Sequence, residues 1–263
     1  MRRRTKRRLL VGSVATVVAA VAVGAAVILA TAQASPPPPV SDTVASYYSN
    51  QPTAVAATAP VFAPVPAGSS VLIMGDSYVQ GYGADDMKTQ GYAYMLGQSY
   101  GWNVTVDAVG RTGFWSGGGV DRTDKNTYKE RVDRLGAAGT VTPSLVVFQG
   151  SQNDYPATSI ELGTKIRETV ASVKQYWPDA QIVIIGPAAP MPNGASLKNV
   201  NQVAYLAAAD VGAFFINPLG DGWMTTENSP GYAFTDGWHV NTAGHAYLAS
   251  KIKETLDAFA AAS

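Results

Sequence analysis

From residue 70 onward, apolar side chains gather in short runs: "SVLIMG" (70–75), "NVTVDAVG" (103–110), "SLVVFQG" (144–150), "QIVIIGP" (181–187) and "AFFINP" (213–218). The runs are rich in β-branched residues, and most end in Gly or Pro. Continuous rather than alternating apolarity predicts strands covered on both faces, as in a parallel sheet. Between the runs lie helix-length segments at 127–139, 158–177 and 196–212, and a last one at 242–262 closes the chain. Strands alternating with helices predict one α/β domain over 70–263, doubly wound around a parallel sheet of about five strands.

The pattern changes upstream. Residues 35–69, from "SPPPPVSD" to "APVFAPVPAGSS", are rich in Pro, Ala, Ser and Thr and carry neither period, which predicts an extended linker. Before it, "LLVGSVATVVAAVAVGAAVILA" (9–30) holds 22 residues without a charge, preceded by the basic head "MRRRTKRR". A run of that length can span a bilayer as a helix, with the basic side left in the cytoplasm. The small-residue stretch "AQA" (32–34) equally suits cleavage of a signal peptide. Residues 1–34 are therefore expected to be a membrane anchor or an export signal. Either places the domain outside the cytoplasm, at the cell surface or secreted.

Charge sharpens this division. The formal net charge is +0, but six of the 19 basic residues lie within 1–8; the remainder has 13 basic against 19 acidic residues, a net −6. An acidic body lacks the basic footprint that nucleic acid requires. The chain has no cysteine, which excludes disulfides, thiolate metal sites and cysteine nucleophiles. Two histidines with no H-E-x-x-H motif make no metal site, and "WSGGGVD" (115–121) lacks the Lys of a phosphate-binding loop. No cofactor is expected.

Doubly wound sheets bind ligands at the carboxyl ends of their strands. The first strand ends in Gly75-Asp76-Ser77, the second in Gly110-Arg111-Thr112 and the third in Gly150 to Asp154. Gly, Asp and Ser are turn formers, so Ser77 reads either as turn chemistry or as a nucleophile beside a distant base. Of the two histidines, His245 opens the last helix, where a local packing role is expected. His239 lies in the preceding loop, three residues after Asp236. A carboxylate there can hold the imidazole Nδ1–H and stabilise its cation; the same spacing also suits a simple turn. Gly110, with no side chain to obstruct approach, and the Asn153 amide are candidate oxyanion donors.

Taken together, Ser77 in "GDS", Gly110, Asn153 in an "ND" block and Asp236-x-x-His239 resemble, in order and spacing, the SGNH (GDSL-type) serine hydrolases. The resemblance covers roughly residues 70–260. It implies a three-layer α/β/α flavodoxin-like domain and ester hydrolysis through an acyl-enzyme on Ser77. It also implies His239 as base, Asp236 as its partner, and an oxyanion hole from Ser77 N–H, Gly110 N–H and the Asn153 side chain. The substrate would be an O-acyl ester, short acetyl-type esters included, of a small molecule, lipid or glycan. Acyl transfer from the same site and a non-catalytic surface module are the alternatives.

Two departures stand out. The family's third block is usually Gly-x-Asn-Asp, whereas here Ser151 stands where Gly is expected, or the loop is one residue longer; and Tyr78 replaces the commoner Leu after Ser77. The elbow Gly-x-Ser-x-Gly is absent, which weighs against an α/β-hydrolase. Tyr78, Phe114, Trp115 and Trp238 flank the candidate residues; they read either as an apolar or sugar-stacking wall or simply as part of the core.

Overall fold

The computed structural model describes residues 61–262. The basic head, the apolar run and most of the Pro/Ala-rich segment, together with Ser263, lie outside the described residues. Among those described, no helix is long and apolar enough to cross a membrane.

Five strands form one parallel sheet in the order β2-β1-β3-β4-β5, with β1 at Ser70–Gly75, β2 at Asn103–Ala108, β3 at Leu145–Gln149, β4 at Gln181–Ile185 and β5 at Phe214–Ile216. Each lies within one of the five apolar runs. β1, β3 and β4 are central and almost wholly buried, which is why they read as unbroken apolar stretches. β2 lies at the sheet edge and is only half-buried, so it tolerates Asn103, Thr105 and Asp107.

Side chains alternate across the sheet and build one core on each face. Leu72, Met74, Val146, Phe148, Ile182 and Ile184 face α4 (Tyr128–Ala138), α5 (Ser159–Tyr176) and α6 (Lys198–Val211). Val71, Ile73, Leu145, Val147, Val183 and Ile185 face α3 (Tyr92–Tyr100) and α8 (Thr242–Ala261). The result is the expected three-layer α/β/α sandwich. The helices start where the sequence signals it: Thr127 with Glu130 and Thr158 with Glu161 form capping boxes, and Asn241 caps α8.

Helix α3, in "GYAYMLGQSYGW", was not among the expected helices, because its glycines and aromatics give little helical propensity. It forms because Tyr92, Ala93 and Leu96 find the core, and because Gly97 leaves no side chain to collide with Val104. Short helices α1 (Ser77–Gln80), α2 (Met87–Gln90) and α7 (Ser229–Tyr232) complete the described set.

The expected start of the domain at residue 70 is too late. Phe62 is buried against Phe214 and Phe259 at centroid distances of 4.9 and 5.9 Å. Gln181 also binds both backbone groups of Ala63, at 2.7 and 2.8 Å. A segment without periodicity can still contribute one core side chain, and period analysis is blind to that.

Candidate active site

The nucleophile loop begins where β1 runs out. A Cβ at Gly75 would overlap Val79 and the Gln149 carbonyl, so the exit from the strand needs glycine. Asp76 then caps α1, its Oδ1 accepting the Tyr78 N–H at 2.9 Å. Ser77 is thereby the first residue of a helical turn, and its own N–H has no acceptor among the described residues, as helix starts leave theirs.

The loop between α7 and α8 brings the second half. Asp236 Oδ1 accepts the backbone N–H groups of Trp238 and His239, both at 2.9 Å, and its Oδ2 lies 2.6 Å from His239 Nδ1. On the far side of the ring, His239 Nε2 is 2.7 Å from Ser77 Oγ. With Nδ1–H donated to the carboxylate, the Nε2 lone pair faces the serine hydroxyl, the arrangement that proton removal needs. Burial alone would raise the Asp236 pKa, but the hydrogen bonds from the His239 and Trp238 amides and the imidazole outweigh it and hold the carboxyl below its usual range. The three residues named from sequence are brought together.

Gly110 and Asn153 also arrive beside Ser77. A Cβ placed on Gly110 would lie 4.0 Å from Ser77 Cβ, and the Gly110 N–H has no acceptor among the described residues. Asn153 sits in the turn Gln152–Asp154 after β3, but its amide is not free: Nδ2 donates to Asp76 Oδ2 at 2.9 Å and to the Thr112 carbonyl at 3.0 Å. Ser151 has φ +70°, the left-handed conformation that favours glycine. The serine therefore holds a backbone conformation that glycine adopts more easily. Its Oγ is buried without a partner among the described residues.

Beneath these loops lies a charge network that sequence reading missed. Asp154 accepts the N–H groups of Phe114, Trp115 and Ser116 at 3.0, 3.1 and 2.8 Å, which fixes the loop after β2. Arg131, on the apolar face of α4, is fully buried. It donates to the Gly75 carbonyl twice at 3.0 Å, to the Asp107 carbonyl at 2.7 Å and to Thr112 Oγ1 at 2.9 Å, and pairs with Asp107. One guanidinium thus clamps the carboxyl ends of β1 and β2 directly below Ser77 and Gly110. Burial pushes Asp76 up to about 7 and Asp154 to about 6, although Arg131 draws Asp76 down and the three loop N–H groups draw Asp154 down. Nothing in the sequence pattern of 127–139 marks this arginine as buried; only the tertiary fold turns it inward.

His245 has the packing role expected of it. It is buried, its Nδ1 lies 3.4 Å from Tyr92 N and its Nε2 3.1 Å from the Tyr82 carbonyl, and burial lowers its pKa.

The expected aromatic wall needs correction. Tyr78 is buried behind His239, its hydroxyl donating to the Trp238 carbonyl at 2.5 Å, and Phe114 is buried between Tyr128 and Phe148. Both faced inward because they sit next to the strand ends, where the core begins. Trp115 packs half-buried on the same core, and of the four only Trp238 is exposed. Tyr82 takes the place assigned to Tyr78: its ring stands edge-on to His239, 4.7 Å away, and is open to solvent. No group of three or more His, Cys, Asp or Glu side chains gathers to hold a metal ion among the described residues.

The GDSL-like Lipase/Acylhydrolase family model matches residues 73–247. A GDSL lipase of Mycobacterium tuberculosis is 31% identical over 192 residues, covering 69% of this chain and 79% of the relative. The fold resembles that of a carbohydrate esterase family 2 enzyme of Corynascus thermopiles (TM-score 0.58, 18% identity, 77% of this chain and 68% of that one). It also resembles a carbohydrate acetylesterase family member from Sinorhizobium meliloti (TM-score 0.55, 17% identity, 73% and 99%). With the serine block, the strand order and the C-terminal Asp-His block all in place, the chain belongs to the GDSL-like lipase/acylhydrolase family and is a carboxylic ester hydrolase.

Proposed function

We propose that this protein is an exported or membrane-anchored serine esterase that removes short O-acyl groups, of the acetyl type, through an acyl-enzyme on Ser77. The observation that carries the reading is the continuous path Ser77 Oγ–His239 Nε2–Asp236, with steps of 2.7 and 2.6 Å. His239 takes the serine proton as Oγ attacks the ester carbonyl carbon, and Asp236 stabilises the imidazolium that forms. The resulting oxyanion is met by the N–H groups of Ser77 and Gly110, which have no acceptor among the described residues. The Asn153 amide joins them by sharing or releasing its bond to the Thr112 carbonyl. Collapse expels the alcohol with the proton held by His239. A water deprotonated by the same ring then attacks the acyl carbon and frees Ser77 and a carboxylic acid.

The acetyl preference is supported by the fold's likeness to carbohydrate esterases, one of them a carbohydrate acetylesterase family member. Export is supported by the basic head followed by 22 uncharged residues. A fluorophosphonate is expected to label Ser77, and p-nitrophenyl acetate to be hydrolysed; label elsewhere, or turnover retained in Ser77→Ala, overturns the reading. Protease added to intact cells should degrade the domain, and protection of the domain would refute export.

A further inference from the structure

Three aromatic side chains are largely exposed among the described residues: Tyr82 at 44%, Trp238 at 45% and Tyr155 at 63%. All three are tied to the reacting centre. The Tyr82 N–H donates to the Ser77 carbonyl at 2.9 Å, and its ring rests edge-on against both His239 and Phe234, at 4.7 and 5.6 Å. Trp238 is locked through its backbone, its N–H on Asp236 and its carbonyl on the Tyr78 hydroxyl. Tyr155, two residues after Asn153, is held by Arg122, which bonds the Asn153 carbonyl at 2.9 Å and the Tyr155 hydroxyl at 3.1 Å, and stacks over the ring at 4.9 Å.

Large aromatics are normally withdrawn from water, and among the described residues the exposed ones follow Ser77, adjoin His239 or follow Asn153 closely in the chain, which points to a binding surface beside these residues. The Tyr82 and Tyr155 rings, held from behind, lose little further freedom when a ligand covers them. Flat rings with hydroxyl and indole N–H edges suit the C–H faces and hydroxyls of pyranose rings. They would make a poor wall for a long acyl chain, which needs continuous aliphatic lining. The chain beyond the basic head carries a net −6, which disfavours docking on an anionic lipid surface. We propose that Tyr82, Trp238 and Tyr155 form a stacking rim for an O-acylated glycan chain, which lies across Ser77 with sugar rings on both sides of the scissile ester. This rests on the serine esterase reading and assigns its substrate class.

The test compares the wild type with Tyr82→Ala, Tyr155→Ala and Trp238→Ala on O-acetylated xylo-, manno- and peptidoglycan-derived oligosaccharides of rising length. p-Nitrophenyl acetate and micellar p-nitrophenyl palmitate serve as reference esters. Wild-type kcat/KM should rise with oligosaccharide length on at least one glycan. Each variant should lose roughly three- to tenfold more on that glycan than on p-nitrophenyl acetate, mainly through KM. Binding of the unacetylated oligosaccharide to Ser77→Ala should quench tryptophan fluorescence, and Trp238→Ala in that background should abolish the change. No dependence on length for any of the glycans, equal losses on the glycan and p-nitrophenyl acetate, or losses confined to the palmitate ester each overturn the proposal. A wild type inert towards p-nitrophenyl acetate and unlabelled at Ser77 would instead overturn the esterase reading itself.

Discussion

The Asn153 amide donates to the buried carboxylate of Asp76 at 2.9 Å, joining the loop after β3 to the residue that immediately precedes Ser77. Asp76 also receives the Tyr78 N–H, so one carboxylate orients the nucleophile's helical turn and the side chain expected at the oxyanion. The "D" of "GDS" is therefore a structural hub, and its protonation state bears on both loops.

Asp76 should leave a signature in stability against pH. Burial pushes its pKa up to about 7, so between about pH 4 and 7 the folded chain retains a proton that the unfolded chain has released. Stability of the wild type relative to Asp76→Asn should fall as pH rises through that window and be level below it. Denaturant titrations of both proteins at a series of pH values give this difference directly, and it cancels the opposing contribution of His245. A difference that rises with pH would mean that Asp76 is held ionised.

Removing relay members should stop turnover without unfolding the chain. Ser77→Ala and His239→Ala are each expected to lower kcat on the order of 10⁴-fold or more, and the double variant should lose little beyond either, since the two act as a unit. Asp236→Asn leaves a neutral amide that no longer selects the Nδ1–H tautomer, and should cost roughly 10³–10⁴-fold. Steady-state kinetics with circular dichroism as a folding control decide this; additive losses in the double variant would break the relay.

Asn153→Ala distinguishes two roles for the amide. A donor to the oxyanion is worth on the order of 10²–10³ in kcat. A loss below tenfold, accompanied by a fall in thermal stability, would assign the residue to holding Asp76 alone.

Arg131 is buried with its positive charge among strand-end carbonyls and Asp107. Arg131→Met strands those acceptors and should destabilise the domain by about 3–5 kcal/mol. Arg131→Lys keeps the charge but not the fork that reaches Gly75, Asp107 and Thr112 together, and should fall between the two. Chemical denaturation measures both. Equal stability of Lys and Arg forms would show that charge alone, not the clamp, matters.

Ser151→Gly should stabilise. The left-handed φ of +70° costs a serine roughly 1–2 kcal/mol, of which glycine's greater unfolded-state freedom offsets a part. A net gain of about 1 kcal/mol corresponds to a rise in Tm of about 2–4 °C for a domain of this size. An unchanged or lowered Tm would show that the buried serine hydroxyl contributes more than it costs.

Much of this was legible in the chain's own pattern. Apolar runs covered on both faces declare buried parallel strands, because a residue's tendency to leave water does not depend on its neighbours. Thr127, Thr158 and Asn241 likewise announce helix starts through local hydrogen bonding. Ser77, Gly110, Asn153 and the pair Asp236-His239 stood out as candidates because each sits at a strand or loop end, where the fold type places ligands, and because together they resemble a known family's blocks; singly, each also read as a turn. What the pattern did not carry depends on which side chains meet across large separations in sequence. Phe62 enters the core, Arg131 turns inward, Tyr78 and Phe114 are buried while Tyr82 and Tyr155 are not, and Asn153 finds Asp76. Those outcomes were decided only by tertiary packing, since burial and hydrogen-bond partnership are properties of a place in the fold and not of a residue type.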